Sequence, residues 1–403
     1  MKKQSTPELQ RVPLEEGKFK VIHLGCFICD TKAFLVSHFR VPTIFSVCLS
    51  ILAGRLSDSC MNFLLQAPQP PSTESVDNAL QVLEEVGAIA PIPSNGNRSN
   101  YETITPLGLH LAKLPVHVRL GKMLIFGALF GVLDVVLTIV ASLSAKSPFV
   151  ANIDNSPQIK AAHKVFCHPS SDFLTSCKVW DAYIATMNIS PSNARNFCTK
   201  NFLNRTAFIE IGECRKQFFT LLSSIGFVDR SIKTLDDMAL SSCNKNNSKE
   251  EIINAAICAG LYPNVAHVAK QPGDSSFTLY NRNERLWFHK SSTNFNKILS
   301  TEWIVYQEKF ATSKTFVSAT SVIQPFSLLL FGHSDVKHLE RKVVIDGWIE
   351  LNMAAQVAVM FRELKHALAR SIEDRMEANV GAEVDVIIDG ICRLLSIEAR
   401  EKE

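Results

Sequence analysis

The sequence predicts a multi-domain chain, mainly α-helical, that also contains a small β-barrel. Three observations carry this expectation. A helix, a short hairpin and a second helix follow one another between 72 and 111, the order of a winged helix. Helical patterns separated by polar loops then run from 120 to about 227, and beyond 276 come short runs rich in β-branched and aromatic residues. A chain of 403 residues has room for about two to four such domains.

The first helix lies in "PQPPSTESVDNALQVLEEVGAI". Prolines 68, 70 and 71 end what precedes it, Ser72 or Thr73 caps its start, and Gly87 stops it. Val76, Leu80, Leu83 and Val86 recur at helical spacing. "AIAPI" and "YETIT" are extended pieces around the polar turn "PSNGNRSN", and Thr105-Pro106 opens the next helix with an N-cap residue and a proline at the first helical position. "LGKMLIFGALF" and "DVVLTIVASLS" are the most apolar helices, with Gly131 as a stop and Asp134 as an N-cap between them. "SDFLTSCKVWDAYIATM" and "NARNFCTKNFLNRTAFIEIGECRKQFFTLLSSIG" are amphipathic, and the second sets Lys200, Arg205, Arg215 and Lys216 among apolar positions. "DRSIKTLDDMALSSCNKNNSKEE" reads as a linker. After the helix "EIINAAICAGLY" the strand candidates are "SFTLY", "RLWFH", "EWIVYQEKF" and "KTFVSATSVI". "MAAQVAVMFRELKHALARSIEDRM" returns to helix, with apolar positions at 357, 360, 361, 364 and 368.

Composition excludes little. A net charge of +3 allows a polyanionic partner without requiring one. Eleven cysteines without a framework pattern, behind a polar start, point to reduced thiols in the cytosol or nucleus. The apolar run from 123 to 145 is long enough to span a bilayer, but Asp134 near its middle would cost about 2.5–3.5 kcal/mol in lipid, and two buried helices explain it more simply. "CFIC" at 26–29 lacks a second ligand pair for a zinc site. His289 beside Ser291 and Ser292 lacks the nucleophile elbow of a hydrolase. No G-x-x-x-x-G-K-[ST] turn is present, so this chain is expected not to hydrolyse ATP by itself.

The order of these pieces resembles the region that follows the motor in DEAH-box RNA helicases. "PELQRVPL" resembles the exit of the second RecA-like domain, and "ITPLGLHLAKLPVHVRLGKML" a winged helix running into a helical ratchet bundle. "HPSSDFLTSCKVWDAY" is similar to the family's His-Pro-x-x-Asp-x-Leu-Thr helix start. "ICAGLYPNVAHV", "FHKSSTNF" and "WIVYQEKFATSKTFV" resemble its oligonucleotide-binding (OB) fold, with Lys290 where the family usually has proline. The resemblance implies the end of a RecA-like domain over 1–16, an unmatched insert over 17–46, and a winged helix over 47–119. It further implies a ratchet bundle over 120–228, a linker over 229–250, an OB-fold over 251–350 and a helical extension over 351–403, without the RecA-like motor. "NFLNRT", "KMLIFGALFGVLD" and "VVIDGWIELNMAAQVAVMFRELK" are most similar to the ribosome-associated DEAH helicases of translation initiation.

In that family these modules wall a single-strand channel, while ATP and magnesium are bound by the RecA-like lobes. The resemblance therefore implies no cofactor in this chain and no membrane. The implied partners are single-stranded or structured RNA, the small ribosomal subunit in the cytoplasm, and the missing lobes. The implied RNA contacts are Lys200, Asn204 and Arg205 in the bundle, with Lys290, Ser291, Ser292, Thr312 and Lys314 in the barrel. The alternative is a motor-less adaptor that binds ribosome or protein partners. Residues 17–46 match nothing in the pattern, and deleting them joins "RVPLEE" to "VCLSIL" as the family expects. Gly17-Lys18 can be encoded with a splice-donor sequence and Phe45-Ser46 with an acceptor, which reads as a retained intron. The expected outcome is transcript reads that cross from codon 16 to codon 47; peptides from inside the segment would refute it.

Overall fold

The computed structural model describes residues 44–90, 102–150, 157–270, 277–297, 299, 301–332, 337–339, 342–374 and 382–400. The "CFIC" pair and nearly all of the 17–46 insert lie outside these residues, as does the polar turn of the hairpin. The chain divides into two compact units, Met1–Lys122 and Met123–Glu403.

In the first unit, α1 (Ile44–Ala53) packs on α3 (Thr73–Val86), with the short α2 (Cys60–Leu64) beside both. Within α1 the described residues include Ile44 and Phe45, both buried. α3 is punctuated as expected: Ser72 accepts from the Ser75 amide, and Gly87 takes the left-handed conformation at φ +80°. A single antiparallel bridge, Ile89 to Ile104, is what the described residues hold of the hairpin. The Thr105 side chain then accepts from the Gly108 amide and caps α4 (Pro106–Leu111). His117 precedes α5 (Val118–Leu129), and its Nδ1 accepts from the Arg119 amide at 3.3 Å in the manner of an N-cap. The division between the units falls within α5.

The second unit begins with the rest of α5 and α6 (Leu133–Ser144), separated by Gly131 at φ +68°. Among the described residues no helix is long and apolar enough to cross a membrane. Asp134 is not the N-cap of α6. Val132 holds that position without a side-chain bond, and Asp134 lies in the first turn. There it pairs at 2.5 Å with Arg215, one of the cations set among apolar positions in the sequence, which the fold buries. The Arg215 guanidinium also lies 5.2 Å from the Trp180 ring centroid, and the Thr138 hydroxyl accepts from it.

α7 (Pro157–Lys164) leads to α8 (Asp172–Ile189), α9 (Pro191–Lys200) and α10 (Arg205–Ser224). The long amphipathic stretch is broken at 201–204, where Asn204 caps α10. Phe208 of α10 stacks on Tyr183 of α8, with centroids 4.3 Å apart and planes 5° apart. The stretch expected as a linker is packed against the bundle. It holds α11 (Leu235–Ala239) behind a capping box at Thr234, and Asn246 donates to the Phe130 carbonyl at 2.8 Å. α12 (Glu250–Leu261) is buried at every residue from Ile252 to Leu261, the mark of a helix enclosed on all sides.

Five strands form a closed barrel: β1 (Val265–Lys270), β2 (Phe277–Asn281), β3 (Glu284–Phe288), β4 (Trp303–Ala311) and β5 (Thr315–Val322). Their order is β1-β2-β3-β5-β4, closed by antiparallel β1 on β4, with β3 and β5 parallel. β1 was not among the strand candidates. A separate sheet of β6 (Lys337–Leu339), β7 (Lys342–Ile345) and β8 (Ile349–Asn352) follows α13 (Pro325–Phe331). The chain continues through α14 (Ala355–Asp374) and α15 (Ala382–Arg400). Of the apolar positions expected on α14, Phe361 and Leu368 are buried, but Met360 is 40% exposed.

Two predictions follow from these contacts. Arg215→Ala leaves the Asp134 carboxylate without its partner; because Asp134 is 34% exposed, a loss of about 3 kcal/mol, the low end for breaking a buried pair, is expected as a lower urea midpoint at unchanged slope. Burial, aided by the Arg119 guanidinium, lowers His117 from the ordinary 6.5 to about 4. The folded state thus favours the neutral ring, and its contribution is complete above pH 6.5 and lost as pH falls toward 4, by up to about 3 kcal/mol. His117→Asn, which retains a capping acceptor, is expected to flatten this part of the stability profile between pH 7 and 4.

Candidate nucleic-acid interface

One end of the barrel gathers aromatic rings and cations. On β3, Arg285 and Trp287 share a face because side chains alternate along a strand. The register that pairs Trp287 with Phe316 of β5 brings the β4–β5 turn alongside. Lys314 reaches from that turn to Trp287, so the Arg285 guanidinium and the Lys314 ammonium each lie 5.0 Å from the Trp287 ring. Phe310 and Phe316 are direct cross-strand partners and stack at 6.0 Å and 25°. The His289 ring closes on both, at 5.4 Å from Phe310 and 6.3 Å from Phe316. Phe310 remains 37% exposed. Lys309 pairs with Glu284 at 2.9 Å, and that hydrogen bond holds the Glu284 carboxyl below the usual range. Lys290 and Lys314 are exposed and have no carboxylate partner among the described residues.

The loop after β3 faces two ways. His289 donates its amide to the Val317 carbonyl at 2.9 Å, and its Nδ1 meets the Ser291 hydroxyl at 2.7 Å. This pairing is local to the turn, since the Ser291 amide donates to the same nitrogen. Lys290 and Ser291 are exposed, whereas Ser292 is buried. The Ser292 hydroxyl donates to Asp172 at 2.8 Å and lies 2.9 Å from the Thr320 hydroxyl, so it fastens the loop to α8 instead of facing solvent. Asp172 also accepts from the Thr293 amide at 2.6 Å and from the Thr320 amide at 2.7 Å. Thr312 is exposed in the β4–β5 turn, its amide donating to the Lys314 carbonyl at 2.9 Å.

The expected contacts in the bundle form a second group. Lys200 is exposed in the last turn of α9. Asn204 accepts from the Thr206 amide at 3.0 Å as the N-cap of α10, which accounts for its residue type without a ligand. Arg205 is half-buried at the first helical position, with Nε lacking a partner among the described residues. Among the described residues, no hydrogen bond, ion pair or ring contact joins Lys200, Asn204 or Arg205 to Lys290, Ser291, Ser292, Thr312 or Lys314. The described residues hold no cluster of three or more His, Cys, Asp or Glu side chains that could bind a metal ion.

Sequence reasoning named Lys314 but missed Arg285, Trp287, His289, Phe310 and Phe316 as a group. Their positions are scattered over 285–316, and only the β3–β5 and β4–β5 registers unite them. The available signal was an aromatic or histidine in each of "RLWFH", "EKFA" and "KTFV".

Comparison with known proteins agrees with this architecture. Three family models match: "Helicase associated domain (HA2), ratchet-like" over 117–176, "Oligonucleotide/oligosaccharide-binding (OB)-fold" over 253–335, and "C-terminal domain in RNA helicases" over 341–396. The chain is 32% identical to ATP-dependent RNA helicase dhx29 of Xenopus laevis, in an alignment covering 98% of this chain and 26% of that protein. Against the human ATP-dependent RNA helicase DHX29 the identity is 29%, with the same coverage. Against the chloroplastic DExH-box ATP-dependent RNA helicase DExH4 of Arabidopsis thaliana it is 32%, covering 83% of this chain and 25% of that protein. The chain thus spans about a quarter of the length of the curated relatives it matches. A barrel of OB order, a ratchet-like helical bundle and a helicase C-terminal domain in this succession make the chain a C-terminal region of a DEAH-type RNA helicase.

Proposed function

We propose that this chain holds single-stranded RNA against the barrel tip while RecA-like lobes of the same helicase move the strand. The observation that carries the reading is the union, at one end of an OB-ordered barrel, of stacked Phe310 and Phe316 with two cations held against Trp287. OB-folds bind oligonucleotides on the β2–β3 face and at the loops joining β1–β2 and β4–β5. Lys314 and Thr312 belong to the second of these loops, and Trp287 to that face. Rings offer stacking surfaces to unpaired bases, and cations meet the phosphates between them. Lys290 and Ser291 continue this surface from the end of β3. Ser292 supports it from beneath through Asp172. Lys200, Asn204 and Arg205 belong to the reading as bundle contacts further along the strand.

ATP and magnesium, in this reading, act on the RecA-like lobes and not on the residues described above. The similarity to dhx29 of Xenopus laevis supports helicase work on RNA, and the subfamily resemblance of "NFLNRT" and "VVIDGWIELNMAAQVAVMFRELK" is what supports placing that work in the cytoplasm, on the small ribosomal subunit during translation initiation.

The test is fluorescence anisotropy of the 403-residue chain with a labelled oligouridylate across a salt series. Phe310→Ala is expected to weaken binding by about 5- to 100-fold, the worth of one base–aromatic stack. Lys290→Ala and Lys314→Ala are each expected to lower the slope of log K against log salt by about 0.7. Unchanged affinity and slope in all three variants would overturn the proposal.

A further inference from the structure

The bundle carries a cleft that the RNA-guiding surface does not use. One wall is a stripe of α8 that includes Asp181, Ile184 and Ala185, which fall on one side of the helix at i, i+3 and i+4. Leu235 and Asp236 of α11 form the wall opposite, and the Asp134–Arg215 pair completes the lining. The cleft holds about 370 Å³, near the low end of ligand pockets. Its charges do not balance, because the carboxylates of Asp134, Asp181 and Asp236 face a single guanidinium. Arg215 is already committed: it pairs with Asp134, donates to the Thr138 hydroxyl and lies against Trp180. Asp181 and Asp236 are exposed, and neither has a hydrogen-bond or ion-pair partner among the described residues. Asp237, by contrast, spends its carboxylate on the capping box of α11. Desolvation in the cleft and then the Asp134 charge push the Asp181 carboxyl above the ordinary carboxylate value, against the opposing field of Arg215. Beside these carboxylates the surface is apolar. Leu240, immediately after α11, is 94% exposed, and Ile189, the last residue of α8, is 73% exposed.

We infer that this cleft docks a protein partner through an arginine side chain flanked by apolar residues. Arginine joins an apolar stem to a charged fork, the same division that the cleft makes between its aliphatic walls and its carboxylates. A planar fork of N–H donors answers carboxylates that come from two helices, where a lysine ammonium acts as one point charge. RNA is the wrong occupant, because its phosphates would meet two carboxylates with no cation to spare. The inference therefore goes beyond the RNA-guiding reading and does not depend on it. Half of the docking surface comes from residues 235–239, in the stretch that reads as a linker in the sequence.

The probe is a fluorescein-labelled peptide of repeated Leu-Arg-Leu, titrated with the 403-residue chain and read by anisotropy. Asp181→Asn/Asp236→Asn is expected to weaken binding by about 10- to 100-fold, the worth of hydrogen bonds to a charged group. Ala185→Leu, which fills the cleft at unchanged charge, is expected to weaken it as well. A charge-matched control on α14, Glu363→Gln/Glu373→Gln, is expected to bind like the parent chain, and citrulline in place of the peptide's arginines is expected to abolish binding. Both cleft variants are expected to hold labelled oligouridylate as the parent does, which also reports that they are folded. A double aspartate variant that behaves like the control, or an Ala185→Leu variant that behaves like the parent, overturns the proposal. So does equal binding of the arginine and citrulline peptides. A loss of oligouridylate affinity in the cleft variants would assign the cleft to the strand and overturn it too. Phe310→Ala separates the two readings, since it is expected to weaken oligouridylate binding and leave the peptide unaffected.

Discussion

The second unit depends on one carboxylate. Asp172 lies in the first turn of α8, where a negative charge is favoured by the helix dipole, yet its oxygens reach outward to the barrel. They accept from two backbone amides and two hydroxyls, those of Thr293, Thr320 and Ser292. A charged acceptor makes each of these bonds stronger than a neutral one would be. The barrel meets this demand with an unusual backbone: Ala319, immediately before Thr320, has φ +49°, a conformation that non-glycine residues seldom adopt within a strand. The result aligns a bundle helix, the 289–297 loop and β5 on a common point. The His-Pro-x-x-Asp-x-Leu-Thr pattern becomes legible in these terms. His168 pairs with Glu250, Ser171 caps α8, Thr175 accepts the His168 amide, and Asp172 holds the barrel.

The fold separates its cations by role. Arg215 is enclosed, with its charge answered by Asp134 and its plane against Trp180, so it binds the bundle helices together. Arg285 and Lys314 are held against an aromatic ring at the rim of the barrel, where they keep their charge available to solvent. A mild overall charge conceals this arrangement, because the balance of 42 basic against 39 acidic residues says nothing about where either kind collects.

Local punctuation made much of the fold readable in the sequence. Ser72, Gly87, Thr105-Pro106 and Gly131 act within a few residues of themselves, and each sits at the helix boundary it marks. The barrel strands after 276 announced themselves through β-branched and aromatic runs, but β1 did not, because "VAHVAK" holds only two β-branched residues and no Phe, Tyr or Trp. Asp134 was misread as a cap because its partnership with Arg215 spans 81 residues, which no window along the chain can detect. Ser292 looked like its neighbour Ser291, and only the position of α8 separates a buried hydroxyl from an exposed one. The aromatic group at the barrel tip is likewise a product of strand register. Its residues are ordinary in sequence and specific only in space.

α12 carries a wider consequence. Ala255, Ala256, Ala259 and Gly260 leave it slender, and it is in contact with α6 of the bundle, β4 of the barrel, α13 and the terminal α15. No side of it is left over for water, so none of those neighbours can depart without stripping an apolar surface bare. Bundle, barrel and terminal helix should therefore melt as one cooperative block, and a fragment cut between them would inherit an open wound instead of a finished domain.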